Sequence, residues 1–321
     1  MTAPEAPAIP DHFLRVTDLD RAGLEALLDL AALMKRRPHG FVDVLQGDTV
    51  VCFFEKPSTR TRVSFAAAAE RLGMLPLVLR PDELQLGRGE TLGDTARTLS
   101  GYAAASVVRT VAQETVDELA AAAGKPVINA LTDEHHPCQA LADLLTLRER
   151  FGVLEGLRVA YVGDGNNVVR SLADAAQLTG MELVIAAPSG YAEGISARVT
   201  QDPAEAVEGA DAVYTDVWVS MGEPEAVWDE RIALLRPYQV DAAMMAATGK
   251  PDAKFMHCLP AFHDLETETG RKMFDRHGLT SMEVTDEVFE SEHSIVFDQA
   301  ENRMHTIKAV LVATLSRDGL A

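Results

Sequence analysis

Val50-Val51-Cys52-Phe53-Phe54-Glu55, then Lys56-Pro57-Ser58-Thr59-Arg60-Thr61-Arg62, then Val63-Ser64-Phe65-Ala66-Ala67-Ala68-Ala69-Glu70-Arg71-Leu72 follow one another in the chain, and their order decides the fold. The first run is short, β-branched and aromatic, as a strand should be; the third is alanine-rich, reads as a helix and stops at Gly73. Between them stand hydroxyls and guanidinium groups. A strand that ends in such a segment at a helix start makes an anion site. Free backbone N–H groups and the helix dipole point at the ligand, and Arg adds charge and directed donors. The plainer reading is a Ser/Thr N-cap followed by two solvated arginines.

Outward from this point the same alternation continues. Upstream, Arg21 to Met34 carries Leu24, Leu27, Leu28 and Leu33 at helical spacing. Downstream, Leu75–Leu79 reads as a strand, Gly93–Tyr102 as a helix begun by Thr91 and Asp94, and Ser106–Arg109 as a strand. Thr115–Ala123 is a helix, Pro126–Asn129 a strand, and Pro137 opens a helix with Leu141, Leu144 and Leu145 on one face. The pattern restarts with Leu157–Val162, the turn Gly163-Asp164-Gly165 and a helix through Asn167–Leu178; strands at Glu182–Ala186, Ala212–Thr215 and Phe255–His257 follow. Strands alternating with helices imply parallel sheets covered on both faces. The expected class is α/β, with two doubly wound parallel-sheet domains, residues 1–136 and 137–303, and Pro137–Arg150 as the hinge helix. A last helical run, Met304–Leu315 within residues 304–321, is expected to pack back on the first domain.

At 321 residues the chain is long enough for two such domains. Apolar residues make up 47% and charged residues 24%, an ordinary globular balance. No apolar run approaches the roughly 20 residues that span a bilayer. The start, Met1-Thr2-Ala3-Pro4-Glu5-Ala6-Pro7, lacks the basic and apolar regions of a secretory signal. Cys52, Cys138 and Cys258 are too few and too scattered for a disulfide framework or a zinc site. A cytoplasmic location is the expectation. The net charge of -20 argues against nucleic acid or an anionic membrane as partner. An anion site in so acidic a chain must build its positive field locally. A cationic co-substrate fits the bulk charge, although acidity serves solubility equally well.

Further motifs fall just past strand ends, where α/β folds place ligands. His136-Pro137-Cys138-Gln139 follows Pro126–Asn129 and sets His and Gln three apart on one helical face, at an end that favours anions. Taken alone, His136 reads first as a helix-entry residue with a satisfied core role, and His135 beside it leaves the assignment open. Asp216-Val217-Trp218-Val219-Ser220-Met221-Gly222 puts a carboxylate and a hydroxyl on one loop, suited to an amino acid's ammonium and carboxylate; a capping Asp is the alternative. His257-Cys258-Leu259-Pro260 places a thiol at a strand end, with a structural thiol as the plainer reading. Gly163-Asp164-Gly165-Asn166-Asn167 resembles the start of a dinucleotide fingerprint but lacks its third glycine, so it speaks weakly for NAD. Asn167 reads instead as a ligand to a small substrate or as a cap.

Taken in chain order, these motifs together resemble the carbamoyltransferase family, and within it the ornithine branch. Ser58–Arg62 is joined by Leu86-Gly87-Arg88-Gly89-Glu90-Thr91, Asp94-Thr95-Ala96-Arg97, His136–Gln139 and Leu141-Ala142-Asp143. Gly163–Asn167, Asp216–Gly222, His257–Pro260 and Glu301-Asn302-Arg303 complete the set, from about Phe13 to Leu315. Ser220-Met221-Gly222 and Cys258 mark the ornithine branch; the aspartate branch would carry Pro in place of Cys258. The resemblance implies that carbamoyl phosphate and L-ornithine give L-citrulline and phosphate. Residues 1–136 would then bind carbamoyl phosphate and residues 137–303 ornithine. Ser58, Thr59, Arg60 and Thr61 would hold the phosphate. Arg109, His136 and Gln139 would take the carbamoyl end and phosphate, and Arg303 would complete the cationic lining. Gln85 matches a position that reaches into a neighbouring subunit's site, which implies a homotrimer with shared sites. Asn167, Asp216, Ser220 and Met221 would hold ornithine, with Cys258 and Leu259 closing on the reacting centre. Arg109, His136 and Cys258 are the catalytic candidates. No metal or organic cofactor is implied.

One stretch departs from the family pattern. After Glu182–Ala186, Pro188-Ser189-Gly190-Tyr191-Ala192-Glu193-Gly194 leads almost directly to Ile195–Thr200, whereas a parallel crossover takes about a dozen or more residues. Either Ile195–Thr200 is no parallel neighbour of Glu182–Ala186, or the sheet edge is truncated. Rival functions are a carbamoyltransferase for putrescine, acetylornithine or aspartate, a non-catalytic metabolite-binding relative, and an NAD oxidoreductase.

Overall fold

The computed structural model describes residues 10–86, 89–219 and 225–316. The chain forms two compact units. Unit 1 runs to Leu145 and resumes at Glu301; unit 2 is Thr146–Ala300.

Unit 1 holds, in chain order, α1 (Arg21–Arg36), β1 (Thr49–Phe54), α2 (Thr59–Glu70), β2 (Leu75–Leu79), α3 (Leu92–Tyr102), β3 (Ala105–Arg109), α4 (Gln113–Ala122), β4 (Val127–Leu131) and most of α5 (Pro137–Phe151). Its sheet is wholly parallel, in the order β2-β1-β3-β4. β1 lies inside, with Val50 to Phe54 all buried. Burial on both faces is why that strand reads as one continuous apolar run rather than as an alternation. β2 is the edge, with Leu75 57% and Leu77 42% exposed. The α1 helix buries Leu24, Leu27, Leu28, Leu30 and Met34; Leu33 turns half outward, and Leu30 takes its place in the core.

Unit 2 continues with β5 (Arg158–Val162), α6 (Asn167–Thr179), β6 (Glu182–Ala186), β7 (Arg198–Thr200), α7 (Pro203–Val207), β8 (Ala212–Thr215), α8 (Trp228–Leu235) and α9 (Ala242–Ala247). β9 (Lys254–His257), α10 (Glu268–His277), α11 (Asp286–Phe289) and the start of α12 (Val296–Leu315) close it. The second sheet is again parallel, ordered β7-β6-β5-β8-β9.

Both sheets reverse their winding part-way across, between β1 and β3 in the first and between β5 and β8 in the second. In open α/β sheets a crevice opens at the carboxyl ends of the strands flanking such a reversal, and ligands bind there. Ser58–Arg62 follows β1 and Arg109 ends β3. Gly163–Asn167 follows β5 and Asp216 follows β8.

The departing stretch resolves in favour of a truncated edge. β7 is a parallel partner of β6, pairing Val184 with Arg198 and Ala186 with Thr200, but it is only three residues long. Residues 187–197 make the connection through turns alone. This loop packs down because Gly165 has no side chain: a Cβ there would lie 2.0 Å from the Tyr191 carbonyl oxygen.

Candidate active site

α2 begins at Thr59, four residues earlier than the alanine-rich run suggests, so the motif hydroxyls and arginines form its first turn. Ser58 is the N-cap residue, yet it makes no side-chain capping bond. The first-turn N–H groups therefore donate nothing to the Ser58 hydroxyl. Arg62 points out into solvent, Thr59 is exposed, Ser58 and Arg60 are half-buried, and Thr61 is buried.

Thr61 anchors a buried cluster. Its Oγ1 accepts from Arg303 Nη2 at 3.0 Å and from Arg109 Nη1 at 3.4 Å. Arg303 Nη1 donates to Gln139 Oε1 at 2.9 Å and stands 3.4 Å from His136 Nε2. Gln139 Nε2 donates to Asp143 Oδ1 at 2.8 Å, which fixes the amide so that its oxygen faces the guanidinium. Arg109, His136, Gln139, Asp143 and Arg303 are all buried. Burial first, then the guanidinium groups of Arg303, Arg109 and Arg60, hold the His136 imidazole well below the usual histidine range. It is therefore neutral at pH 7, with the nitrogen facing Arg303 acting as acceptor. The neighbouring histidine is separate from this: His135 N–H donates to Thr132 Oγ1 at 3.0 Å and its carbonyl accepts from Thr132 N at 2.9 Å. Several guanidinium groups gathered in low dielectric repel one another, and an anion relieves the repulsion.

In unit 2, Asp216 is 7% exposed and receives three bonds. Asn166 Nδ2 donates to Oδ2 at 2.7 Å; Val217 N–H and Cys258 Sγ donate to Oδ1 at 2.8 and 3.0 Å. Among the described residues these hydrogen-bond partners are all neutral. Asn166 also caps α6, its Oδ1 accepting from Val168 N at 3.0 Å and Val169 N at 3.4 Å. Tyr161 OH donates to the same oxygen at 3.4 Å, and burial ahead of the nearby carboxylates keeps that phenol protonated by raising it well above its ordinary value. Asn167 opens α6 and is half-buried.

Cys258 is half-buried at the end of β9. Leu259 follows with φ 59, the sole non-glycine residue of positive φ among the described residues. Its N–H donates to His257 Nδ1 at 2.8 Å, and Phe262 N–H donates to Glu283 Oε1 at 2.6 Å, so the turn is pinned on both sides. Asp216, His257 and Cys258 offer one ligand atom each within 4.8 Å of one another. Within the protein these groups already bond to one another or to the turn. Gln85 is exposed, just before Leu86. Ser220 and Met221 lie outside the described residues.

Two family profiles match in succession: aspartate/ornithine carbamoyltransferase, carbamoyl-P binding domain, over residues 11–149, and aspartate/ornithine carbamoyltransferase, Asp/Orn binding domain, over residues 155–314. The chain belongs to the aspartate/ornithine carbamoyltransferase family. It is therefore a transferase enzyme. Solved carbamoyltransferases resemble it along their whole length. Ornithine carbamoyltransferase from Pyrococcus furiosus is 41% identical with a TM-score of 0.85, covering 96% of this chain and 98% of its own. The enzyme from Thermus thermophilus is 39% identical with a TM-score of 0.84, covering 96% and 100%. Anabolic ornithine carbamoyltransferase from Campylobacter jejuni is 33% identical with a TM-score of 0.81, covering 94% and 97%.

For a carbamoyltransferase the arrangement is chemically apt: one buried cationic cluster and one buried carboxylate, each at a winding reversal. Sequence reading missed Asn166 as a partner of Asp216, although an Asn ahead of a helical run is a capping signal. It took Asp143 only as part of a motif and missed its hold on Gln139. Spacing could not reveal that.

Proposed function

We propose that the enzyme carries the carbamoyl group of carbamoyl phosphate to L-ornithine, giving L-citrulline and phosphate, as a step of arginine metabolism. The observation that carries this reading is Asp216, a buried carboxylate whose hydrogen-bond partners among the described residues are all neutral. A charge so placed calls for a cation. Ornithine supplies ammonium groups, and the relatives from Pyrococcus furiosus and Thermus thermophilus are ornithine carbamoyltransferases. The sequence Ser220-Met221-Gly222 supports an acceptor with a free amino-acid head.

In this reading the first-turn N–H groups of α2, with Ser58, Thr59, Arg60 and Thr61, hold the phosphate, and Arg109, Gln139 and Arg303 complete its setting. The neutral side-chain amine attacks the carbamoyl carbon, and negative charge develops on the carbamoyl oxygen. Thr61, Arg109 and neutral His136 stabilise that oxygen, a preorganised donor being worth about 3 kcal/mol in such a role. The C–O bond to phosphate then breaks, with arginines meeting the leaving charge, while the amine's proton passes to the leaving phosphate or to a nearby base. Asn167, Asp216, Ser220 and Met221 bind ornithine, and Cys258 and Leu259 border its reacting end. Unit 1, Met1–Leu145 with Glu301–Ala321, would form the carbamoyl-phosphate domain and unit 2, Thr146–Ala300, the ornithine domain.

A homotrimer in a cytoplasmic setting completes the reading. The exposed Gln85 and the half-open β2 edge, with Leu75 and Leu77, favour contact with a second copy. Among the described residues no helix is long and apolar enough to cross a membrane. Citrulline formation with ornithine, putrescine, acetylornithine and aspartate as alternative acceptors tests the proposal; ornithine should give the highest kcat/KM, and preference for another amine would overturn it.

A further inference from the structure

Two loops carry the acceptor residues of unit 2: Gly163–Asn166 after β5, and Asp216–Val219 after β8. Inside the crevice they are joined by the bond from Asn166 to Asp216. A second tie joins them through a residue of another element. Arg231, on α8, donates from Nε to the Trp218 carbonyl at 2.8 Å and from Nη2 to Asp164 Oδ2 at 2.5 Å. Its guanidinium carbon stands 5.5 Å from the centre of the Tyr191 ring. The connections close a ring. From Asp216 the chain leads through Val217 to the Trp218 carbonyl, across Arg231 to Asp164, and through Gly165 to Asn166, whose side chain returns to Asp216.

We propose that Arg231 is a positioning residue for the acceptor site, fixing the distance between the β5 and β8 loops and so the direction of the Asp216 carboxylate. The inference rests on Asp216 binding the acceptor's ammonium group. Arg231 and Asp164 are largely shielded, with side chains 17% and 16% exposed, so their pair is screened far less than a surface ion pair. Each attachment point lies two residues from a group that sets the carboxylate: Trp218 from Asp216, and Asp164 from Asn166. The task needs a guanidinium. Nε and Nη2 are held at a fixed angle in one plane, so one side chain meets a carbonyl and a carboxylate at once, while its central carbon lies over an aromatic ring. A lysine carries its three donors on one nitrogen at the end of a flexible stem and lacks the planar fork. The Tyr191 loop braces the ring from outside: its side chain faces Arg231 and its carbonyl closes on Gly165, where a Cβ would meet it at 2.0 Å. The truncated β6–β7 connection thereby has a purpose in the acceptor site.

The test compares wild type with Arg231→Gln, Arg231→Ala, Asp164→Asn and the double variant Arg231→Gln/Asp164→Asn. KM for ornithine, KM for carbamoyl phosphate, kcat and melting temperature are measured for each. Arg231→Gln should raise KM for ornithine about tenfold or more while KM for carbamoyl phosphate stays within about twofold. Asp164→Asn should move it the same way, and the double variant should be no worse than the worse single one, since both cut the same ring. Guanidinium chloride at low millimolar concentration should restore part of the ornithine KM in Arg231→Ala, whereas ammonium chloride should not. A mainly structural arginine would lower the melting temperature and leave the two KM values in proportion, and guanidinium would not rescue; that result overturns the inference. Loss of folded protein in Arg231→Ala leaves Asp164→Asn and Arg231→Gln to decide. Wild type that makes no citrulline from ornithine defeats the functional reading; wild type that does so beside unchanged variants defeats only the role of Arg231.

Discussion

Replacing Asp216 by Asn tests the acceptor site most directly, because it alters charge while keeping shape. Three donors converge on two oxygens, Asn166 Nδ2 on one, Val217 N–H and Cys258 Sγ on the other. An amide offers one oxygen and one NH2 group. If its oxygen faces Val217 and Cys258, two NH2 groups confront each other at Asn166, and turning Asn166 over would surrender its cap on Val168 and Val169. If its oxygen faces Asn166, the NH2 meets two other donors. Either way at least one buried donor loses its acceptor, at about 1–3 kcal/mol, and the melting temperature should drop by several degrees. The substrate effect is larger. Removing one member of a desolvated, hydrogen-bonded charge pair costs about 2–4 kcal/mol, so kcat/KM for ornithine should fall roughly 30- to 700-fold. Steady-state citrulline assays varying each substrate in turn read this out, with phosphate or carbamoyl phosphate protection against thermal unfolding as control. A loss below about threefold, or an equal rise in KM for carbamoyl phosphate, would refute the assignment of Asp216 to the acceptor.

Other expectations concern the remaining parts. Arg60→Ala removes a charge-assisted contact and should weaken carbamoyl phosphate binding by about 2 kcal/mol or more; calorimetry showing unchanged affinity would reduce the motif to an ordinary helix start. Gly165→Ala puts a methyl 2.0 Å from the Tyr191 carbonyl oxygen and also against backbone atoms at 2.7 and 2.8 Å. Such overpacking costs about 1–3 kcal/mol, and denaturant unfolding should register it with an unchanged slope. His305 is held down to about 4, first by burial and then by Lys308. A histidine lowered in the folded state binds fewer protons there than when unfolded, so stability is full above about pH 6.5 and is lost progressively as pH falls toward 4. His136 acts in the same sense. His305→Gln should flatten the pH dependence of the melting temperature in that window, and an unchanged slope would count against the buried neutral imidazole.

Much of this architecture is legible in the sequence because its strands are buried on both faces. Glu182–Ala186 and Ala212–Thr215 coincide with β6 and β8 to the residue, as short apolar runs bounded by turn residues. Helix starts are less legible. At α2 the threonines of the anion motif are weak helix formers and the motif carries no apolar periodicity, so the helical pattern shows only from Val63, although the first turn begins at Thr59. At α12 the residues Asp298, Gln299 and Glu301 are polar and Phe297 is exposed, which hides the helix until Met304. The candidate site follows the same division. Thr61, Arg109, His136, Gln139 and Arg303 are visible as motif residues, but their shared hydrogen bonds are not, since sequence carries no distance between strand ends. Asn166 and Asn167 are indistinguishable by type, and only the cap geometry of α6 separates the residue that holds Asp216 from the one that opens the helix. Arg231 belongs to no motif, and only the positions of Trp218, Asp164 and Tyr191 around it give it meaning.

Arg303 reaches Thr61 across 242 positions of sequence, inside a unit whose first segment ends at Leu145 and whose second begins at Glu301. The ribosome therefore delivers β1, α2, β3, β4 and most of α5 long before the residue that links Thr61 to Gln139. A chain truncated at Ala300 would keep the bonds of Arg109 to Thr61 and of Gln139 to Asp143 but lack the guanidinium that joins the two. A contact of such long separation is slow to form and late to reward the chain. The cationic pocket is thus complete only once Arg303 has been made, so a fragment ending at Leu145 should bind phosphate more weakly than the full chain.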